Sequence, residues 1–170
     1  MRLRLSPSVG MYQMVAIPHV VALGVCDALP QAWIMWPHTV VDASSGEPLV
    51  QINTQAGYDK SMFANVELDV GDDVAARVES AIRQRVNAWA ADLAGRPALA
   101  PLAPVLGDYA NRLIHLGSRV VVLYPNGMVR ARGTFAGVDV WGRATVRLAG
   151  GEELEFPPEQ YRIAPDDQRG

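Results

Sequence analysis

Three histidines (His19, His38 and His115), one cysteine (Cys26) and one lysine (Lys60) are the side chains from which metal, nucleophilic or acid–base chemistry would start in this sequence of 170 residues. The histidines are widely separated, and nothing places two of them on one face with a carboxylate at ligand spacing, so no metal site is expected. Cys26 lies in an apolar stretch with no histidine nearby and reads as a small core residue, not a nucleophile. With no second cysteine there is neither an internal disulfide nor a shared structural zinc site, which points to a reducing cytoplasm. Ser44-Ser45-Gly46 is a loop without the strand-to-helix context of a nucleophile elbow. Lys60, beside Asp59, reads as an exposed turn residue near strands that would floor a pocket. No residue is assigned a catalytic role.

Charge and composition narrow the partners. Acidic residues outnumber basic ones 18 to 15, a net charge of -3, which gives no electrostatic reason to expect nucleic acid or an anionic membrane. Hydrophobic residues make up 49%, enough for a real core in one domain or two small ones. Residues 1–8 alternate Arg2 and Arg4 with Leu3 and Leu5, a strand pattern and not a signal peptide. Residues 15–29 are interrupted by Pro18, His19, Gly24 and Asp27 and read as too short and too polar to span a bilayer. Neither export nor membrane insertion is expected.

The elements that would position these side chains can be read from period and punctuation. Residues 17–29 are apolar nearly all round, fitting a buried helix with Pro18 in its first turn and Pro30 after its end. Residues 32–36 read as a buried strand ending at Pro37. Residues 48–54 and 62–70 read as further strands of one small sheet, separated by a Gly57-Tyr58-Asp59 turn. Gly71-Asp72-Asp73 caps a helix whose apolar residues Val74, Val78, Ile82, Val86, Trp89 and Leu93 recur at helical spacing. Arg77, Glu79, Arg83 and Arg85 on its other side read as solvated surface. Pro97, Pro101 and Pro104 mark a connector, and a short helix is expected over 106–116.

Beyond Gly117 the texture becomes β-branched runs with tight turns. Strands are expected over 120–124, 129–138, 144–148 and 153–156, with a hairpin at Asn126-Gly127, where both central positions can take positive φ. Four short strands within fifty residues imply a small barrel of the SH3 type, with Val120, Val122, Val138, Val146 and Leu148 inside. Trp33, Trp36, Trp89 and Trp141 suit core positions. Trp141, at a barrel turn beside Asp139 and Arg143, is the one most open to exposure and to a role as a partner-binding anchor. The tail after Pro165 is polar and reads as frayed.

This order of parts resembles that of biotin-protein ligases: edge strand, buried helix, strand ending in Trp-Pro, further sheet strands, amphipathic helix and small β-barrel. The local points are Trp36-Pro37-His38-Thr39, Leu116-Gly117-Ser118-Arg119-Val120, and the run from Gly133 through Thr134, Phe135, Ala136, Gly137 and Val138 to Asp139, followed by Gly142. The resemblance implies an α+β fold: a truncated biotin-ligase-like α/β sheet domain over 1–104, an SH3-like barrel over 105–165, and a tail over 166–170. It also implies that Trp36, Pro37, His38, Thr39 and Asn65 occupy substrate- or cofactor-binding positions.

The sequence departs from the family at the positions that carry its chemistry. The family's Trp-Pro-Asn-Asp is Trp36-Pro37-His38-Thr39, so an amide and a carboxylate are both replaced. The lysine that contacts the biotin carboxylate and the ATP phosphate falls at Glu47 or Pro48. The Gly-Ile-Asn signature has become Phe63-Ala64-Asn65-Val66. The glycine- and arginine-rich loop that closes over biotin precedes the region aligned here. The resemblance therefore implies either half of a split ligase or a non-catalytic subunit acting with another protein chain: the other ligase half, a carboxylase carrier domain, or a second copy. Biotin and ATP with magnesium are expected only where such a partner completes the site. A module of the SH3 type that binds protein, with no enzymatic role, is the alternative. Uncovered apolar sheet around Leu3, Leu5, Ile34, Ile52 and Phe63 is expected to meet the partner.

Overall fold

The computed structural model describes residues 1–166. Strand β1 (Arg2–Leu5) alternates exposed arginines with buried leucines. A 3-10 helix (Met11–Ala16) runs directly into helix α1 (Ile17–Ala28), which has Pro18 in its first turn, where a missing N–H costs nothing. Every residue of α1 except Pro18 and Asp27 is buried. The continuous helical stretch Met11–Ala28 is 18 residues long with mean hydropathy 1.3, so by length and composition it could cross a membrane, contrary to the expectation from sequence. Here 72% of it is buried within the protein, as a core helix should be.

Two three-stranded antiparallel sheets, not one, pack around this helix. The first is β2 (Ala32–Met35), β3 (Thr39–Asp42) and β4 (Pro48–Val50); the second runs in the order β1-β6-β5, with β5 (Ile52–Asp59) and β6 (Ser61–Leu68) forming a hairpin. The segment Gly57-Tyr58-Asp59 lies inside β5, and the turn is at Lys60, which has a positive φ of 58°. Gly57 is a strand residue because the ring of Phe63, its direct partner on β6, occupies the place of a side chain: a Cβ at Gly57 would lie 2.6 Å from that ring.

Helix α2 (Asp72–Leu93) buries Val78, Ile82, Val86, Trp89 and Leu93 against α1, with Asp72 and Asp73 in its first turn, where their charge suits the helix dipole. Burying five such side chains is worth roughly 1.5–3 kcal/mol each before chain entropy is subtracted. Its polar side is less uniform than expected. Arg83 pairs with Glu79 at 2.8 Å, but Arg85 bonds both oxygens of Asp27 at 2.8 and 2.9 Å and reaches Asp108 at 2.5 Å, tying α1, α2 and α3 (Leu106–Asn111) together.

Strands β7 (Arg119–Leu123), β8 (Val129–Val138), β9 (Ala144–Arg147), β10 (Glu153–Phe156) and β11 (Arg162–Pro165) form one antiparallel sheet in the order β10-β9-β8-β7-β11. It is open and not a closed barrel: the end strands do not pair with each other, and the rings of Tyr124, Phe156 and Tyr161, 5.1 to 5.2 Å apart, pack at that end instead. Val120, Val122 and Val146 are fully buried, while Val138 and Leu148 are half-buried. At the β7-β8 hairpin only Gly127 has positive φ; Asn126 caps the turn by accepting the Met128 N–H. Asp166, expected to fray, is half-buried as a residue, with its side chain 3% exposed and paired with Arg132 at 2.5 Å and Arg119 at 3.6 Å; the rest of the expected tail lies outside the described residues.

The two halves share one hydrophobic core. Ile34 on β2 exchanges backbone hydrogen bonds with the segment before β7, at 2.8 and 3.0 Å, and Leu102 in the connector donates to Val140 at 3.0 Å. The connector is also held from inside, since the buried Gln13 side chain donates to the carbonyls of Leu99 and Arg96.

Candidate functional site

Strand alternation sends every second side chain of the β1-β6-β5 sheet away from the core. The register puts Arg4, Asn65 and Gln55 in one cross-strand row and Arg2, Glu67 and Asn53 in the next. These six polar side chains line a groove of about 530 Å³ on the outer face. The inner face carries Leu3, Leu5, Ala64, Val66 and Leu68, all buried. The expectation of an uncovered apolar sheet is therefore corrected: Leu3, Leu5 and Ile34 are buried by the chain's own helices, and Phe63 lies on the opposite face from the leucines.

The groove's electrostatics are simple. Arg2 is neutralised by Glu67 at 2.8 Å. Arg4 has no carboxylate partner among the described residues; its guanidinium stacks over the Phe63 ring, 3.7 Å from the centroid. One uncompensated cation flanked by two amides suits a single small anion such as a carboxylate.

The residues singled out from sequence do not gather here. Asn65 alone lies in the groove. Trp36 is buried, its indole N–H donating to the Gly142 carbonyl at 2.9 Å, and Pro37 is buried with its carbonyl accepting from the Tyr109 hydroxyl. Thr39 begins β3, half-buried. Glu47 and Pro48 close a tight loop in which Asp42 accepts from the N–H and hydroxyl of Ser44 at 2.8 and 2.5 Å and from the Ser45 N–H at 3.1 Å, bonds that hold its carboxyl below the usual range. That loop offers no cation. Lys60 is exposed at the hairpin tip. Arg2, Arg4, Asn53, Gln55 and Glu67 were not identified from the sequence, although each lies on the period-two polar side of its strand.

The structure does bring two histidines together, against expectation. His19 on α1 and His38 in the β2-β3 turn meet edge to face, ring centroids 5.9 Å apart, with Tyr109 packed on His19 at 5.2 Å. His19 is 3% exposed, and among the described residues neither of its ring nitrogens has a partner in hydrogen-bonding geometry. Burial, then the neighbouring His38, pushes its pKa down to about 3; a backbone interaction with Ala16 opposes this without reaching good hydrogen-bond geometry. Burial also lowers His38, raises Tyr109 well above its ordinary value, and pushes the Cys26 thiol up to about 12, so that Cys26 stays a neutral core group. Gly142 of the β8-β9 turn reaches this pair: it has φ +83°, and a Cβ there would sit 3.0 Å from His19 Nε2. The cluster is a neutral packing junction between the halves.

No protein-family model and no curated protein matches this sequence. Solved structures do. The biotin protein ligase from Aquifex aeolicus aligns over 97% of this chain and 81% of its own, with TM-score 0.66 at 12% identity. The same enzyme solved in complex with biotin and ATP aligns over 97% of this chain and 77% of its own, with TM-score 0.66 at 13% identity. The fold is biotin-ligase-like. At this identity the likeness fixes the fold alone.

Biotin and ATP can be tested against the residues present. The groove offers two guanidiniums, one carboxylate and three neutral amides, a formal balance of one positive charge. One cation can meet one carboxylate. The set does not match a nucleoside triphosphate, whose phosphates need several cations or a metal held by acidic ligands, and no cluster of three or more metal-ligating side chains occurs among the described residues.

Proposed function

We propose that this chain is a biotin-ligase-like subunit that does not adenylate biotin unaided and acts with a separate protein chain in attaching biotin to a carboxylase carrier domain. The observation that carries this reading is the groove's charge: Arg4 is its single uncompensated cation. Adenylation brings a carboxylate onto the α-phosphate of ATP, two anions that repel until fixed cations neutralise the developing charge. Removing one such preorganised group costs about 10²–10³ in rate. Here the family's lysine position and its motif carboxylate are both replaced, so the deficits compound. A second chain carrying cations over the outer face of β1-β6-β5 would make a composite site, and biotin, ATP and magnesium would be ligands of that site.

Equilibrium dialysis of the purified chain against labelled biotin and, separately, labelled ATP with magnesium tests the first half of the reading. Neither ligand should be retained at about 100 μM, since a single exposed ion pair or stacked arginine contributes about 1 kcal/mol or less. Retention of ATP at micromolar affinity by the chain alone would contradict it.

The alternative, a protein-binding module or scaffold, is favoured by one specific observation: Trp141 stands 45% exposed beside Tyr12 on the surface that joins the two halves.

A further inference from the structure

Five of the large exposed apolar side chains, Trp141, Tyr12, Val15, Met11 and Tyr58, lie along one side of the molecule. Two hollows, of about 450 and 320 Å³, share Val15 and together make a trough from Pro157 and Pro158, past Trp141 and Tyr12, to Tyr58 at the tip of the β5-β6 hairpin. An isolated exposed apolar residue needs no explanation, but a contiguous row in a concave surface does.

The aromatic pair at the centre is held from behind. The Tyr12 hydroxyl donates to the Leu99 carbonyl at 3.3 Å, and the turn presenting Trp141 is fixed by Asp139, whose carboxylate accepts from the Trp141 and Arg143 N–H groups at 2.9 Å each. The two rings stand 6.2 Å apart at 43°. Rigid rings with little freedom to lose are what a docking surface needs. The rim is acidic. Arg143 is shared between Asp139 at 2.6 Å and Glu155 at 2.8 Å, and Glu159 lines the trough without an ion-pair partner among the described residues. One guanidinium faces three carboxylates, so this end carries two formal negative charges.

We propose that the trough docks an extended, proline-containing basic segment of a partner protein, with its proline rings against Tyr12 and Trp141 and its cation toward Glu159. Proline-rich chain is already extended, carries no unsatisfied N–H at its prolines, and packs its rings into aromatic-lined grooves at low entropic cost. A cation between prolines meets the acidic rim and can also lie over the indole face. An acidic segment would face two like charges. The proposal needs no biotin chemistry, so its success or failure leaves the adenylation reading untouched.

Calorimetric titration of the full chain tests this with three nonapeptides: three repeats of Pro-Pro-Arg, of Pro-Pro-Glu, and of Ala-Ala-Arg. The Pro-Pro-Arg peptide should bind saturably, and the other two should bind at least about tenfold more weakly. Trp141→Ala should weaken the Pro-Pro-Arg complex at least about tenfold, as loss of a central aromatic anchor does. Glu159→Lys, a substitution at an exposed position without an ion-pair partner among the described residues, should weaken it severalfold and flatten its salt dependence. Absence of saturable binding, equal binding of either control peptide, or Pro-Pro-Arg affinity unchanged in the folded Glu159→Lys protein would overturn the proposal.

Discussion

Gly24→Ala should destabilise the protein by about 2 kcal/mol, although alanine is the better helix former by about 1 kcal/mol. Gly24 sits in the middle of α1 where α2 crosses it, and a Cβ there would lie 2.6 Å from the Ile82 Cα, 3.0 Å from its Cγ1 and 3.1 Å from its backbone nitrogen. Two of those three atoms are backbone, so no rotamer change relieves the contact and the helices must move apart. A close-packed core resists such movement, and overpacking typically costs 1–3 kcal/mol, more where the backbone itself is displaced. Gly24→Val should go further and leave little folded protein. Gly107→Ala is the control: it lies in α3 with nothing within 4 Å of the added methyl, so it should be neutral or slightly stabilising. Urea unfolding of the three variants decides this, and a Gly24→Ala protein as stable as the parent would show that the helix crossing is looser than described.

His19 should make the protein acid-labile. Its folded pKa of about 3 lies below its unfolded value of 6.5, so as the pH falls below about 6.5 the unfolded chain takes up a proton that the folded chain refuses. The stability His19 contributes in its neutral form is complete above pH 6.5 and is lost progressively toward pH 3. At pH 4 the loss is on the order of 3 kcal/mol. His38, lowered by burial, acts in the same direction. Carboxylates such as Asp42, held below their usual range, add an acid dependence of their own, so the measurement that isolates His19 is a difference: unfolding free energy at pH 7 minus that at pH 4, parent against His19→Leu. The variant's difference should be smaller by about 3 kcal/mol. An equal fall in both proteins would mean that the imidazole is protonated in the folded state or finds a partner there.

The parts of the fold legible in the sequence are those whose burial follows a local period. Val78, Ile82, Val86, Trp89 and Leu93 recur along one side of a helix, and all five are buried; Arg2, Leu3, Arg4 and Leu5 alternate and so do their environments. Gly57 misled because a glycine beside Tyr and Asp carries the composition of a turn, while its strand geometry depends on a ring from Phe63 on the next strand. Arg85 read as surface because its partners, Asp27 and Asp108, come from two other helices. The meeting of His19, His38, Tyr109 and Gly142 joins four segments spread over most of the chain, and no spacing rule announces it. The groove is a middle case: the alternation of Arg2 and Arg4 with Leu3 and Leu5 is visible in the sequence, but the extent of β5 through Gln55 and the side-by-side placing of the strands are not, so only Asn65 was identified.

The biotin-ligase-like fold is proposed to carry a site that does not activate biotin alone. Adenylation is reversible, so an active site that forms biotinyl-adenylate also returns pyrophosphate to ATP. Purified chain incubated with ATP, magnesium, labelled pyrophosphate and biotin measures that step without any carrier protein. No labelled ATP is expected above the level seen without biotin, for the parent and for Arg4→Ala alike. Biotin-dependent exchange by the parent chain would contradict it.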